Sequence, residues 1–169
     1  MIVKQFGLIL LPHQKRLNHY EFSSAFRGDP LYITMPITSL PANDRVKVFI
    51  ADDSRIVREH LVTMLDELAE VEIVGQAENV AEAISAIRKL QPDVVILDIR
   101  MPGGSGIEVL QAIKQDEKAP VVIILTNYPH PAYRKKCLRI GADFFLDKST
   151  EFDQIPAVFE QVRRDSGSD

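Results

Sequence analysis

The sequence lacks the cysteines that a disulfide framework needs and the long apolar run that a membrane-spanning helix needs. It contains one cysteine, Cys137, and no tryptophan. A single thiol cannot close an intramolecular disulfide, and we interpret Cys137 as a small buried apolar side chain in a reducing compartment. No apolar run approaches the roughly 18 residues that a membrane-spanning helix needs. We therefore expect a cytoplasmic protein with no membrane partner.

Acidic residues outnumber basic ones over most of the chain. The 169 residues include 20 lysines and arginines against 24 aspartates and glutamates. Residues 1–43 carry four of the basic and two of the acidic residues, which leaves 16 basic and 22 acidic residues, a net charge of −6, in the remainder. Because proteins gain affinity for nucleic acid mainly by neutralising phosphates, we expect no direct binding to DNA or RNA by this acidic part.

The first 44 residues differ from the rest because they show no sustained period of 3.6 or 2. They end in a stretch that contains Pro, Ser and Asn, Met35–Asp44, which is typical of a linker. We predict that residues 1–44 form a loosely ordered N-terminal extension. Two alternatives stay open: the protein starts at Met35, or the extension docks onto a partner through the aromatic side chains of Tyr20, Phe22 and Phe26.

From residue 45 to about 164, short apolar runs alternate with helical stretches, and residues 165–169 follow as a short tail. Five runs rich in Val, Ile and Leu predict strands that are buried on both faces: Val46–Ile50, Val71–Ala77, Val94–Leu97, Val121–Leu125 and Asp143–Leu146. The five segments between and after them have apolar residues at i, i+3 and i+4 spacing, which predicts helices. This alternation predicts a doubly wound α/β fold, with a parallel sheet covered by helices on both faces.

Polar side chains follow four of the predicted strands. Asp52 and Asp53 follow the first strand, Asp98 the third, Thr126 the fourth and Lys148 the fifth. Because function in such sheets lies at the carboxyl ends of the strands, we expect these side chains to converge. Three carboxylates at one edge repel one another unless they are protonated or bind a cation, and oxygen ligands suit Mg²⁺. The alternative for Asp52 and Asp53 is that they only cap the following helix.

Asp98 is suited to act as a nucleophile toward phosphorus, because a carboxylate can form an aspartyl phosphate. The backbone that follows it can turn sharply at three glycines, Gly103, Gly104 and Gly106. Lys148 and Thr126 would stabilise the phosphoryl oxygens, the first through its charge and the second through its hydroxyl. Taken singly, Asp98 is equally well explained as a turn residue and Lys148 as a solvated surface charge.

In this order and spacing, the motifs resemble the receiver domain of two-component response regulators over residues 45–164. The matching segments are Phe-Ile-Ala-Asp52-Asp53-Ser, Val-Val-Ile-Leu-Asp98-Ile-Arg-Met-Pro-Gly-Gly-Ser-Gly, Ile-Ile-Leu-Thr126-Asn and Gly141-Ala-Asp-Phe-Phe145-Leu-Asp-Lys148. The resemblance implies a flavodoxin-like, doubly wound five-stranded parallel sheet with strand order 2-1-3-4-5. It also implies a signalling phosphoprotein that modifies only itself and is not an enzyme acting on other substrates.

The resemblance further implies how the phosphoryl group is handled. Asp98 matches the phosphorylated residue, and the donor would be a histidine kinase or a phosphotransfer protein. Asp53 matches the direct ligand of Mg²⁺, and Asp52 matches the acidic neighbour that orders metal-bound water. Asp98 itself and the backbone carbonyl of Arg100 would complete the protein's share of the metal ligands.

The switch is implied by the same resemblance. Lys148 matches the phosphate-binding lysine, Thr126 the switch hydroxyl and Phe145 the switch aromatic. Phosphorylation would draw Thr126 toward the new oxygens and make room for the Phe145 ring, which changes the surface of helix four, strand five and helix five. Through this surface we expect a downstream protein partner or a homodimer. A plain core role for Phe145 stays open.

Two features depart from the family pattern. Arg100 and Tyr128 lie two residues after Asp98 and Thr126, in places that flank the incoming water in receivers, and we predict that they set the rate of dephosphorylation. Many receivers carry a proline after the lysine, whereas this sequence has Ser149, which puts the cis peptide of that loop in doubt.

Three functions compete at this point. The first is a stand-alone receiver that acts through protein contacts, because the few residues after the last predicted helix cannot hold an output domain. The second is a relay receiver that passes its phosphoryl group to a histidine phosphotransfer protein. The third is a phosphohydrolase with Asp98 as nucleophile, but enzymes of the haloacid-dehalogenase type carry a second Asp where this sequence has Arg100.

Overall fold

The fold is that of a computed structural model, which describes residues 45–166 and two short strands, Tyr20–Glu21 and Tyr32–Ile33. These two strands pair antiparallel and belong to a different structural unit from the sheet described below. The rest of the predicted N-terminal extension lies outside the described residues. So do the proposed start at Met35 and two of the proposed docking residues, Phe22 and Phe26, while of Tyr20 only the strand assignment is described. The extension, the start and the docking role all stay predictions.

A five-stranded parallel sheet forms the centre of the domain. Its strands are β1 (Val46–Ala51), β2 (Val71–Ala77), β3 (Val94–Leu97), β4 (Val121–Thr126) and β5 (Phe144–Asp147). They lie in the order β2-β1-β3-β4-β5, and every neighbouring pair is parallel. The predicted flavodoxin-like sheet and its strand order are confirmed.

Five helices connect and follow the strands. They are α1 (Arg55–Asp66), α2 (Val80–Leu90), α3 (Gly106–Ile113), α4 (Pro131–Ile140) and α5 (Ile155–Ser166). Among the described helices, none combines the length and the apolar character needed to cross a membrane. Helix α5 continues into the predicted tail, of which residues 167–169 lie outside the described part.

Local sequence signals set the helix ends. At the start of α2 the Asn79 side chain accepts the Glu82 N–H at 3.0 Å, and at the start of α3 the Ser105 hydroxyl accepts the Ile107 N–H at 3.2 Å. Both satisfy backbone donors that a helix leaves unpaired in its first turn. Helix α4 ends at Gly141, whose φ of 119° lies in the left-handed region that favours glycine.

Two apolar cores lie on opposite faces of the sheet. Alternate residues of β3 enter different cores, since Val95 and Leu97 face one side and Val94 and Ile96 face the other. Helices α2, α3 and α4 contribute to the first core, and α1 and α5 to the second. A strand with both faces buried needs an apolar residue at every position, which explains the continuous apolar run. Cys137 of α4 is fully buried in the first core, where burial raises the pKa of its thiol.

Candidate functional site

The carboxyl ends of β1 and β3 lie side by side at one edge of the sheet. The Asp98 N–H donates to the Ala51 carbonyl at 2.9 Å, and the Asp52 N–H donates to the Ala77 carbonyl at 3.1 Å. These bonds continue the parallel ladder by one residue beyond the strands. The backbones of the two aspartates are therefore held in adjacent positions by the sheet itself.

Lys148 reaches both aspartates. Its Nζ lies 2.6 Å from Asp52 Oδ2 and 2.9 Å from Asp98 Oδ2. The side chains of Lys148, Asp52 and Asp98 are only 6%, 3% and 7% exposed. Because a charge removed from water is costly unless it is paired, the three side chains form one mutually dependent unit.

The second oxygen of each carboxylate accepts a backbone N–H. Ser54 N–H donates to Asp52 Oδ1 at 2.9 Å, and Ile99 N–H donates to Asp98 Oδ1 at 2.7 Å. Burial raises the pKa of Asp52, and the bond with Lys148 opposes that rise only in part. Both carboxylates are fixed in orientation, and the ionised form of Asp52 would gain from a further positive charge nearby.

Asp53 is exposed and completes a group of three carboxylates. One oxygen from each of Asp52, Asp53 and Asp98 lies within 4.8 Å of the other two. Three negative charges face the single positive charge of Lys148, and a divalent cation would balance the excess. Carboxylate oxygens are preferred ligands of Mg²⁺, so the residues present fit that ion. The N-cap position of α1 is taken by Ser54 and by neither aspartate.

Thr126 ends β4 and is fully buried. Its hydroxyl oxygen accepts the Tyr128 N–H at 3.2 Å, and its carbonyl accepts the Lys148 N–H at 3.0 Å. The backbone of Thr126 thus holds the residue that pairs with the two buried carboxylates. Its side chain is bonded to the start of the loop that leads to α4.

Arg100 and Tyr128 contact each other. The Arg100 guanidinium donates to the Tyr128 hydroxyl at 3.1 Å, and its central carbon lies 4.0 Å from the centre of the ring. Arg100 follows Asp98 by two residues, and the Tyr128 N–H donates a hydrogen bond to the Thr126 hydroxyl. The stacked pair therefore belongs to the two loops that carry the site residues. The two residues that we predict to set the rate of dephosphorylation are therefore in direct contact with each other.

Phe145 lies in β5 and is buried, only 4% exposed, in the core beneath α2, α3 and α4. The guanidinium of Arg134 lies 4.8 Å from the centre of its ring. Arg134 also pairs with Glu151 at 3.5 Å, and Glu151 accepts the Asp147 N–H at 2.9 Å. Phe145 therefore occupies an inward position beneath a cation that bridges α4 to the loop after β5.

The loop after Lys148 is stabilised without a proline. The peptide bond between Lys148 and Ser149 is trans. Asp147 Oδ1 accepts both the hydroxyl and the N–H of Ser149, at 2.6 and 2.8 Å, and these bonds lower the pKa of Asp147. An aspartate side chain therefore holds the turn where many receivers have proline.

Two residues at the site have roles that the sequence did not predict. A Cβ at Gly106 would lie 1.8 Å from the Asp98 carbonyl oxygen, so this glycine allows a close approach, whereas the turn itself uses positive φ at Gly103 and Gly104. Arg58 is buried and donates to the Asp52 carbonyl at 2.7 Å. The one feature of the sequence that could have indicated a special role for Arg58 is its position in the first turn of a helix, where the helix dipole disfavours positive charge.

Comparison with known proteins indicates one family. The model of the response regulator receiver domain matches residues 48–160. The uncharacterized transcriptional regulatory protein YvfU of Bacillus subtilis is 38% identical over 110 residues, which are 65% of this chain and 55% of that protein. The signal receiver domain of the response regulator NarL from Mycobacterium tuberculosis is 34% identical, with a TM-score of 0.65 over 71% of this chain and 98% of that domain.

One relative corrects our prediction about partners. A DNA-binding response regulator of the LuxR family from Staphylococcus aureus is 30% identical, with a TM-score of 0.65 over 70% of this chain and 98% of that chain. The prediction that excluded direct nucleic-acid binding is therefore wrong. The chain spans about half the length of the curated relatives it matches. A net charge describes only the residues over which it is counted, so an acidic receiver domain does not exclude DNA as a partner of the whole protein.

Proposed function

The chain belongs to the family of response regulator receiver domains, and on that premise we propose that Asp98 accepts a phosphoryl group from a histidine kinase or a phosphotransfer protein. The observation that carries the proposal is the position of Lys148. Its ammonium contacts Asp98 and Asp52 at 2.9 and 2.6 Å within a nearly buried cluster. A lysine held there by two carboxylates is placed to receive a phosphoryl oxygen on Asp98.

The proposed reaction is a transfer to a carboxylate oxygen. An oxygen of Asp98 bonds to phosphorus while the bond between phosphorus and the donor's imidazole nitrogen breaks, and the electron pair returns to that nitrogen. Mg²⁺ would be held by Asp52, Asp53, Asp98 and the Arg100 carbonyl, and when bound it supplies positive charge beside the phosphoryl oxygens. Lys148 supplies the second positive charge and can keep its contact with Asp52 during the transfer.

Thr126 and Phe145 carry the proposed switch. The Thr126 hydroxyl accepts the Tyr128 N–H and keeps its own proton, which it can donate to a phosphoryl oxygen. A shift of Thr126 in that direction would open space for the Phe145 ring and alter the surface formed by α4, β5 and α5. From the names of the relatives we propose control of transcription as the output, through DNA contact by the whole protein.

The test uses acetyl phosphate and Mg²⁺ with the full chain, followed by intact mass. The wild type is expected to gain one phosphoryl group and Asp98→Asn none. Asp66→Asn, at the exposed end of α1, is the matched control and should label like the wild type. Labelling of Asp98→Asn at the wild-type rate would refute the assignment of Asp98. Release of many phosphates per protein from a phosphate ester would instead indicate a phosphohydrolase.

A relay role remains a second candidate, and the same labelled protein decides it. Incubation with a histidine phosphotransfer protein would move the label rapidly from Asp98 if the receiver acts as a relay. Retention of the label on Asp98 would favour an output role.

Arg100 and Tyr128 are expected to slow the loss of the phosphoryl group. Their side chains are stacked on each other, and the two residues follow Asp98 and Thr126 by two positions, so we propose that their bulk and charge hinder an incoming water. Arg100→Ala and Tyr128→Ala should each speed the decay of phosphorylated protein several-fold, and the double variant should add little, because each side chain supports the other. The decay is followed by intact mass after removal of the donor, with Arg139→Ala on α4 as the control. Decay at the wild-type rate in both single variants would contradict the prediction.

A further inference from the structure

Arg58 is a buried cation that the proposed transfer does not use. Its side chain is 8% exposed, and one terminal nitrogen donates to the backbone carbonyl of Asp52 at 2.7 Å. The other terminal nitrogen pairs with Glu78, whose own side chain is 64% exposed. One guanidinium therefore links the loop after β1 to the residue that follows β2.

The place of Arg58 in α1 explains how it reaches that loop. Side chains of an α-helix lean toward its N-terminus, and Arg58 lies in the first turn, so its guanidinium extends back over the loop that carries Asp52. A positive charge in the first turn opposes the helix dipole, and a buried cation is costly without partners. The bonds to Asp52 and Glu78 are therefore what make this position tolerable for an arginine.

The backbone and the side chain of Asp52 are both fixed by hydrogen bonds and an ion pair. Its N–H donates to the Ala77 carbonyl, and its carboxylate contacts Lys148 and the Ser54 N–H. Its carbonyl, which Arg58 holds, belongs to the peptide that joins Asp52 to Asp53. A rotation of that peptide would redirect the Asp53 backbone and move its carboxylate away from the other two.

We infer that Arg58 is a positioning residue for the divalent-cation site, because it holds the peptide between Asp52 and Asp53 and thereby sets the separation of the three carboxylates. The inference rests on the proposed function. Glu78 offsets the charge of the guanidinium, so the contribution of Arg58 is geometric. Groups that orient metal ligands from outside typically change metal affinity by about 10–100-fold when they are removed.

The test is a titration of the whole 169-residue chain with Mg²⁺, monitored by amide NMR shifts, which report the Kd and the folded state together. Arg58→Met keeps an unbranched apolar stem and removes every donor, and its Kd should rise about 10–100-fold. Arg58→Lys should give an intermediate Kd, because one ammonium cannot reproduce the two-sided contact of a guanidinium. Glu78→Gln keeps an acceptor for Arg58 and should bind Mg²⁺ like the wild type.

Lys114 provides a matched control for general destabilisation. Its Nζ also joins a backbone carbonyl to a carboxylate, since it contacts the Pro120 carbonyl and Asp143 at 2.8 Å each. Lys114→Met should lower the melting temperature and leave the Kd for Mg²⁺ unchanged. An equal rise of the Kd in Lys114→Met and Arg58→Met would overturn the inference, because the effect would then be one of stability alone.

The remaining outcomes separate this inference from the proposed function. A wild type that does not bind Mg²⁺ refutes the proposed function itself. A wild type that binds, together with a folded Arg58→Met variant of equal Kd, refutes only the role of Arg58. If Arg58→Met does not fold, Arg58→Lys decides: a raised Kd supports the role, and a wild-type Kd overturns it.

Discussion

Lys148→Met is expected to destabilise the domain by about 3–5 kcal/mol in metal-free buffer, because removal of one partner leaves buried charges uncompensated. Methionine keeps an unbranched apolar stem and is only one atom shorter than lysine, so the cavity term is small. Among the described residues, the ammonium of Lys148 is the one that contacts Asp52 and Asp98, two carboxylates that are 3% and 7% exposed, and the variant loses it. Urea unfolding of the wild type and the variant in the presence of EDTA measures the difference in their free energies of unfolding.

Mg²⁺ should recover part of this loss. A ligand that binds only the folded state stabilises it, and the variant has more uncompensated negative charge at the site than the wild type. The increase in unfolding free energy on addition of Mg²⁺ is therefore expected to be larger for Lys148→Met. Lys114→Met serves as the control: its partner Asp143 is 41% exposed, so the ion pair is worth about 1 kcal/mol or less and should not respond to Mg²⁺. Equal losses in the two variants would contradict the proposed dependence on burial.

Gly106→Ala is expected to destabilise the domain and to impair phosphorylation together. The added Cβ would lie 1.8 Å from the Asp98 carbonyl oxygen and 2.9 Å from its carbonyl carbon. Both contacts are with backbone, so relief requires a shift of Asp98 itself or of the start of α3. Overpacking typically costs about 1–3 kcal/mol and occasionally more, and this contact is close enough for the upper end of that range. Urea unfolding gives the stability, and labelling by acetyl phosphate gives the rate.

Gly103→Ala is the control for Gly106→Ala. It removes a glycine from the same turn without a contact that would displace Asp98. Gly103 has a φ of 82°, and a Cβ there would meet nothing within 4 Å. Alanine in the left-handed region should cost about 1–2 kcal/mol, with little effect on the rate of labelling. Wild-type labelling by Gly106→Ala would show that Asp98 tolerates the shift and would contradict the proposed close approach.

Most of the fold was predictable from local pattern. Strands buried on both faces read as continuous apolar runs, and β2 and β3 begin and end where the sequence predicts. The boundaries of β5 differ by one residue at each end. At its start, the Asp143 side chain contacts Lys114 and accepts the Val122 N–H, and Asp143 does not begin the strand. A side chain that replaces a strand bond cannot be recognised from apolar periodicity.

The candidate site was predictable in part. Asp52, Asp98 and Lys148 converge because each directly follows a parallel strand, and the carboxyl ends of such strands share one edge. The contact of Arg100 with Tyr128 joins residues that are 28 positions apart, and no local signal predicts it. The net charge misled us about DNA, because a charge summed over a domain does not decide its partners.

The order of residues along the chain determined by itself which segments are strands and helices and which polar groups follow each strand, because periodicity and strand ends are local properties. The tertiary structure alone decided which of those groups lose their water and which backbone atoms they then contact. Because Asp52 and Asp98 are buried, they need Lys148 as a partner. The packing of the helices on the sheet also places Arg58 against the Asp52 carbonyl and leaves no room for a side chain at Gly106. Desolvation and close approach depend on elements that are distant in sequence, so they exist only once the sheet and its helices have packed together.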